Sequence, residues 1–358
     1  MSKTVTTDAR APRSAPGVKV QLRERQVLFV APDTEGTRKW GVYGCPDMER
    51  TADGSIVVWD GGHMDSHDLE AGTMAEPVAF RSTDNGLTWK AIKRDAKESA
   101  AGKIFVLSDG ARVQFLPKTP PADLYKLGVR PKFMVMTAND AGLLGVFRHG
   151  DIPPAARTFE VRYQPAGAAA PQSADGVFDI PDWQVTATLK GKTGDGIWPD
   201  VTPVFTPLSF GFTGLHHGAA GEEALVEAPD GAWLSAIVHV VAMARNDRYF
   251  GELRCIASRD HGRTWTLRGS ILNQRDLTTF GATEEFSMIR LGNEIICVDR
   301  TDHATIQDPH RAAVLARSAD NGLTWSVPEP VASSSVTPHL VNLRTAWLRS
   351  WSAGRGCT

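Results

Sequence analysis

Tyrosine and cysteine are scarce in this chain, with four of each among 358 residues. Cys45, Cys255, Cys297 and Cys357 lie far apart and form no C-x-x-C pair. That spacing argues against a disulfide framework and a thiolate zinc site, and leaves buried thiols as the expectation. Neither sign of charge dominates: 39 Lys+Arg stand against 41 Asp+Glu, for a formal net charge of −2, and there is no basic run. The electrostatic footprint of a phosphate-backbone or anionic-membrane binder is missing, so neither nucleic acid nor membrane is an expected partner. No apolar run approaches the roughly 18 residues of a membrane span, and residues 1–17 contain no apolar signal core. As written the chain reads as cytoplasmic; it would be exported only if its start were misassigned. The composition, 42% hydrophobic and 22% charged, suits a globular protein with a large core.

What is present is a repeat. The pattern S-x-D-x-G-x-T-W occurs at Ser82–Trp89, Ser258–Trp265 and Ser318–Trp325 without a mismatch. The last two starts are 60 residues apart and the first two 176 apart, nearly three such periods, so degenerate copies are expected between them. One is visible at Ala138–Gly145, where Asp140 and Gly142 keep their places. A second copy has no clear place, because the Pro- and Ala-rich stretch Gly150–Gly196 is expected to carry a loop insertion.

Tight turns run in step with the boxes. Asp53-Gly54, Asp109-Gly110, Asp230-Gly231 and Gly292-Asn293 each separate two short apolar segments, the signature of a β-hairpin. From turn to box is 28, 27 and 25 residues in the three intact units, room for two further strands. The repeat is therefore a four-stranded antiparallel sheet of about 55–62 residues, which must stack against its neighbours to bury both faces. The expected fold is all-β: a six-bladed β-propeller spanning residues 18–340, preceded by a disordered segment 1–17 and followed by an irregular tail 341–358. Only 33 residues follow Trp325, so the last blade is expected to be incomplete, with Val18–Val30 available to lend it a strand. The box residues themselves read as structural: Asp accepts backbone N–H groups, Gly supplies positive φ, and Trp wedges between sheets.

Three such boxes on a chain of this size resemble the Asp-box repeats of the sialidase (neuraminidase) superfamily, over roughly residues 35–330. The resemblance implies a glycan-active propeller, an exo-acting glycoside hydrolase in most members, with a carbohydrate substrate and neither cofactor nor metal. It also implies site positions. The family's acid/base aspartate precedes the first box by about a dozen residues; here Asp68 stands fourteen residues ahead of Ser82 and Asp65 is the second choice, in the segment that also carries His63 and His67. The fifth unit matches the family's glutamate and clamp arginine at Glu285 and Arg300, for which a blade-holding ion pair is the alternative. Glu222 falls at the height of Glu285 in the fourth unit, as a cavity group or a rim charge.

The match has gaps. Gly44, in Tyr43-Gly44-Cys45-Pro46, stands where the family has its first clamp arginine. Tyr43, Tyr125, Tyr163 and Tyr249 all precede the fifth unit, so the usual tyrosine nucleophile of the last blade has no counterpart. Three functions therefore compete: a sialidase-like hydrolase of altered specificity, a polysaccharide lyase acting on a uronate-containing glycan, and a non-catalytic glycan-binding propeller. For the lyase, His63, His67, His216, His217 and Tyr43 are the candidate bases and Arg300 the neutralising cation. The oligomeric state is not set by the sequence.

Overall fold

The computed structural model describes residues 27–28, 47–51, 53–60, 78–93, 104–118, 122–136, 143–190, 202–205, 225–242, 249–280, 282–302, 313–332, 338–343 and 347–351. The chain divides into two compact units, Met1–Lys39 and Trp40–Thr358, and every element below belongs to the second. The segment 1–17, expected to be disordered, lies outside the described residues, as does nearly all of Val18–Val30.

The described residues form an all-β structure with one short α-helix and two single-turn 3-10 helices, His149–Asp151 and Pro154–Ala156. Strands β1 (Asp47–Arg50), β2 (Ile56–Asp60), β3 (Val78–Ser82) and β4 (Lys90–Ile92) make an antiparallel four-stranded sheet in sequential order. Next come β5 (Ile104–Val106), β6 (Arg112–Pro117), β7 (Ala122–Asp123), β8 (Phe133–Met136) and β9 (Leu143–Arg148). Then follow β10 (Thr158–Gln164), β11 (Gln172–Phe178), β12 (Gln184–Lys190) and β13 (Thr202–Phe205). The fourth unit is β14 (Val226–Glu227), β15 (Trp233–Ala242), β16 (Tyr249–Ser258) and β17 (Thr264–Leu272), leading into helix α1 (Gln274–Phe280). The fifth is β18 (Ala282–Leu291), β19 (Glu294–Asp302), β20 (Ala313–Ser318) and β21 (Glu329–Ala332). A last hairpin pairs β22 (His339–Leu343) with β23 (Trp347–Trp351).

The hairpin turns arise from local chemistry. Gly54, Gly110, Gly231 and Gly292 all take positive φ, which costs glycine no Cβ clash. Asp53, Asp109 and Asp230 each accept the backbone N–H two residues on. The three boxes repeat one bonding scheme. Ser82, Ser258 and Ser318 donate to Asp84, Asp260 and Asp320 at 2.8 Å. The same hydroxyls accept the N–H of Gly86, Gly262 and Gly322 at 2.8, 2.9 and 2.8 Å. Each Asp also accepts the N–H of its Thr, at 2.9, 2.8 and 2.9 Å. Hydrogen bonds hold the Asp84 carboxyl down at about 2, those from Thr88 first. The boxes thus form the structural turns expected of them.

One expectation is corrected between residues 118 and 205. Gly150–Gly196, expected to carry a loop insertion, contains β10, β11 and β12. The prolines that suggest a loop, Pro153, Pro154, Pro165, Pro171 and Pro181, all lie between strands, where a missing N–H costs no ladder bond. The units here are also interleaved: β10–β11 pairs back onto β6, and β12 pairs back onto β9. Of the degenerate box, Asp140 and Gly142 lie outside the described residues, while Leu143, Leu144 and Gly145 open β9.

A short parallel pairing of β11 with β17, through Val177↔Thr264 and Phe178↔Trp265, joins two four-stranded units into one eight-stranded sheet. At this seam Trp265 is fully buried, edge-on to Phe115 at 5.9 Å, with its indole N–H on Gly262 O. The sheet β18–β21 is buried on both faces. Phe286, Met288, Ile295, Cys297, Val314 and Ala316 join the main core, while Ile289, Ile296, Val298, Ala313 and Leu315 pack with Leu340 of β22. Leu340 N–H also donates to the buried Ser287 hydroxyl at 3.1 Å. A sheet covered on both sides is what stacked blades require, and sequential four-stranded order holds for β1–β4, β14–β17 and β18–β21. A closed ring of six blades is not detected among the described strands. The stretch 341–358, expected to be irregular, supplies part of β22 and all of β23. Cys255 and Cys297 are buried free thiols, as expected; burial pushes Cys255 up to about 12 and Cys297 well above its ordinary value.

Candidate functional site

The most distinctive polar feature of the fifth sheet comes from an irregularity in β18. Thr283 pairs with Thr301 and Phe286 with Asp299, so two residues, Glu284 and Glu285, face the single residue Arg300. A bulge of this kind re-aims a side chain that strict alternation would place elsewhere. Here it brings the Glu285 carboxylate to 2.6 Å from an Arg300 guanidinium nitrogen, with side chains 15% and 7% exposed. Beside the pair, the Thr283 hydroxyl donates to the buried Asp299 carboxylate at 2.5 Å.

The height of this pair follows from the turns. Arg290, at the turn end of β18, donates to Glu227 O at the turn end of β14, so the hairpin turns of the fourth and fifth sheets share one rim. Arg300 lies six residues up β19 from Glu294, and His239 six residues up β15 from Trp233, roughly 20 Å at strand rise in each case. At that second level the fourth sheet carries further polar groups, of which His239 is buried. His239 is paired across from Glu252. Arg254 bridges Glu252 at 3.1 Å and Asp182 at 3.8 Å. His239 Nδ1 accepts the Gln184 N–H at 3.3 Å, and Trp183 donates its indole N–H to Val238 O at 2.9 Å, tying β12 to β15. Burial first, and then Arg254, bring His239 down to about 4, against a smaller opposing effect of Asp182. His149, directly after β9, is fully buried against the Trp183 ring at 5.1 Å. Burial and the Arg157 charge bring it down to about 3, so both histidines are neutral at pH 7.

Of the residues expected at a site, the structure brings Glu285 and Arg300 together. Asp65, Asp68, His63, His67, Tyr43 and Glu222 lie outside the described residues, as do His216 and His217. Tyr249 opens β16 opposite Ala242, at the same end of the fourth sheet as His239. Tyr163 is a packing residue, stacked on His261 at 4.6 Å and tilted against Trp233 at 5.7 Å. Among the described residues no group of three or more His, Cys, Asp or Glu could hold a metal ion.

Thr283, Asp299, His149 and the Asp182–His239–Glu252–Arg254 group are not among the residues that the sequence motifs single out. Two signals were available: a single histidine inside the apolar run AIVHVVA, and a Glu and Arg two apart, hence on one strand face, in GELRC.

No family model matches the chain, and no curated protein matches it. Solved structures do resemble it at low identity. A protein of unknown function from Dyadobacter fermentans is 16% identical with a TM-score of 0.43, over 86% of this chain and 74% of its own. The Hadza microbial sialidase Hz136 is 14% identical with a TM-score of 0.37, and the match spans 84% of this chain but about half, 52%, of that one. An α-L-arabinanase from Penicillium chrysogenum, solved with arabinobiose, is 13% identical with a TM-score of 0.33, over 88% of each chain. All three TM-scores lie below 0.5.

Proposed function

We propose that the protein is a sialidase-like glycoside hydrolase of altered specificity, built on a six-bladed propeller. The observation that carries this is the bulge in β18, which holds a carboxylate and a guanidinium in contact at the positions that match the sialidase pattern. In this scheme Asp68, or failing it Asp65, protonates the leaving oxygen. Glu285 serves as base or electrostatic partner, and Arg300 holds the sugar through its planar fork of donors. His63, His67, Tyr43 and Glu222 complete the substrate contacts. Gly44 in place of a clamp arginine removes a charge-assisted contact of about 1.5–3 kcal/mol, which favours a neutral or differently charged sugar over a sialoside.

One observation supports a second reading. A Glu285 already committed to Arg300 at 2.6 Å is held by a structural pair as well as by a catalytic one, and a non-catalytic glycan-binding propeller would need no more.

The test is a panel of chromogenic glycosides and a uronate polysaccharide, assayed with the full chain and with Glu285→Gln and Asp68→Asn. A hydrolase loses about 100-fold or more of its turnover in each variant, the range of general acid–base contributions. An unsaturated, ultraviolet-absorbing product from the polysaccharide would assign a lyase instead. Sugar binding that survives both substitutions with no turnover would assign the binding protein.

A further inference from the structure

The three boxes share one backbone but differ at the residue before the glycine, and that difference is chemical. Asn85, His261 and Asn321 all adopt positive φ, at 58°, 58° and 63°. Two boxes therefore present Asn-Gly, the sequence in which a peptide nitrogen most readily attacks the preceding side-chain amide, because glycine puts no Cβ in the way. The bonding scheme restrains that nitrogen. Gly86 N–H is held by the Ser82 hydroxyl at 2.8 Å, and Gly322 N–H by the Ser318 hydroxyl at 2.8 Å. Each serine is fixed in turn by donating to the box aspartate at 2.8 Å.

We propose that Asn85 and Asn321 are latent deamidation sites, kept closed by the box serine, and that Asn85 is the first to open. In the reaction the Gly86 nitrogen forms a bond to Asn85 Cγ, the Cγ–Nδ2 bond breaks, and the amide leaves as ammonia carrying the peptide proton. Solvent water then opens the cyclic imide at either carbonyl, giving aspartate or isoaspartate. The Ser82 bond opposes the first step twice, because the N–H must both lose its proton and swing toward Cγ.

The order of opening follows from the surroundings. Asn85 is exposed and Asn321 half-buried. A Cβ placed at Gly86 would touch only the Trp89 ring, at 3.6 Å, whereas one at Gly322 would meet Cys255 Sγ at 2.9 Å and Leu234 Cδ1 at 3.1 Å. With the serine bond broken, rotating the 85–86 peptide presses on the Trp89 ring, while rotating 321–322 must displace packed core. The consequence is structural. Isoaspartate adds a backbone methylene between residues whose Ser–Gly and Asp–Thr bonds depend on fixed spacing, so a box modified this way cannot re-form.

The test is peptide mapping, with isoaspartate detection, of the full chain aged at pH 7.4 and 37 °C, beside eight-residue peptides of sequence Ser82–Trp89 and Ser318–Trp325. The expected result is deamidation slower in the protein than in the peptides at both sites, with Asn85 ahead of Asn321. Ser82→Ala should speed Asn85, and Ser318→Ala should speed Asn321, by about tenfold, the factor equivalent to one hydrogen bond of about 1.4 kcal/mol. Ser258→Ala makes the same lesion beside His261 and should produce no deamidation in its own box. Where a serine variant fails to fold, the wild-type comparison with its peptide still decides. Rates equal in protein and peptide, or folded serine variants that age no faster than the wild type, would overturn the proposal.

Discussion

Sheets β1–β4 and β18–β21 contain the same parts: a glycine turn, an S-x-D-N-G-L-T-W box and sequential antiparallel order. Their burial differs sharply. The fifth sheet contributes to hydrophobic clusters on both faces. In the first sheet Val57 and Ala79 are buried, yet neither belongs to a cluster among the described residues. The box hydrogen bonds are nonetheless equally short in both. The box bonding is thus the same where its tryptophan is buried, as at Trp265, and where it is half-buried, as at Trp89, and the buried area decides how much each box contributes to global stability.

The largest expected effect comes from removing a box tryptophan where stacking is complete. Trp265 is fully buried at the β11–β17 seam, so Trp265→Ala should cost about 3–5 kcal/mol and lower the urea midpoint accordingly. Trp89 is half-buried, and Trp89→Ala should cost about 1–2 kcal/mol, in proportion to the smaller area it covers. Its main signature should be faster amide exchange within residues 78–93. Equal midpoint losses in the two variants would erase the distinction between a buried and a half-buried box tryptophan.

A second contrast lies in their ion pairs. Arg81 and Asp53 in the first sheet are 40% and 58% exposed, while Arg300 and Glu285 in the fifth are 7% and 15% exposed. Breaking a buried pair leaves an uncompensated charge, so Arg300→Met should cost about 3 kcal/mol, and adding Glu285→Leu should recover most of that loss. Arg81→Met should leave the midpoint unchanged, because solvent screens an exposed pair. A double variant no more stable than Arg300→Met alone would mean that the pair is not the source of the effect.

The same contrast shows what could be read from the sequence. The Asp53-Gly54, Asp109-Gly110 and Asp230-Gly231 turns and the three boxes were legible because each is held by bonds spanning a few residues. The pairing of β10 with β6 was not, because β8–β9 and β10–β11 are both plausible hairpins and only long-range packing decides which joins which neighbour. Prolines in the gaps between β10, β11 and β12 imitated a loop. At the site, the Glu285 and Arg300 pattern was legible and their contact is present. The bulge that makes the contact left only a trace, a Glu-Glu pair interrupting the alternation of β18, and Thr283 and Asp299 had no motif to announce them.

The smallest effect per step is the response to acid, which should also separate the regions. His149 and His239 lie in the stacked part of the molecule, with folded values of about 3 and about 4 against about 6.5 when unfolded. A lowered value means that the unfolded chain binds the proton first. Their contribution is therefore complete above pH 6.5 and is lost as the pH falls toward 4, by about 1.4 kcal/mol per unit for each histidine. In the first sheet the box and turn carboxylates Asp84 and Asp53 are both lowered by hydrogen bonds. Their contribution is present above the ordinary aspartate value and fails only below it, as the pH approaches 2. Urea midpoints measured from pH 7 to 4.5 should accordingly decline in the wild type and decline less steeply in His149→Phe, which keeps a ring against Trp183 without a proton to gain. Asp84→Asn should leave that slope as it is, and a wild-type midpoint flat across this range would show that the two histidines are protonated in the folded protein, with solvent reaching rings that the packing of β9, β12 and β15 encloses.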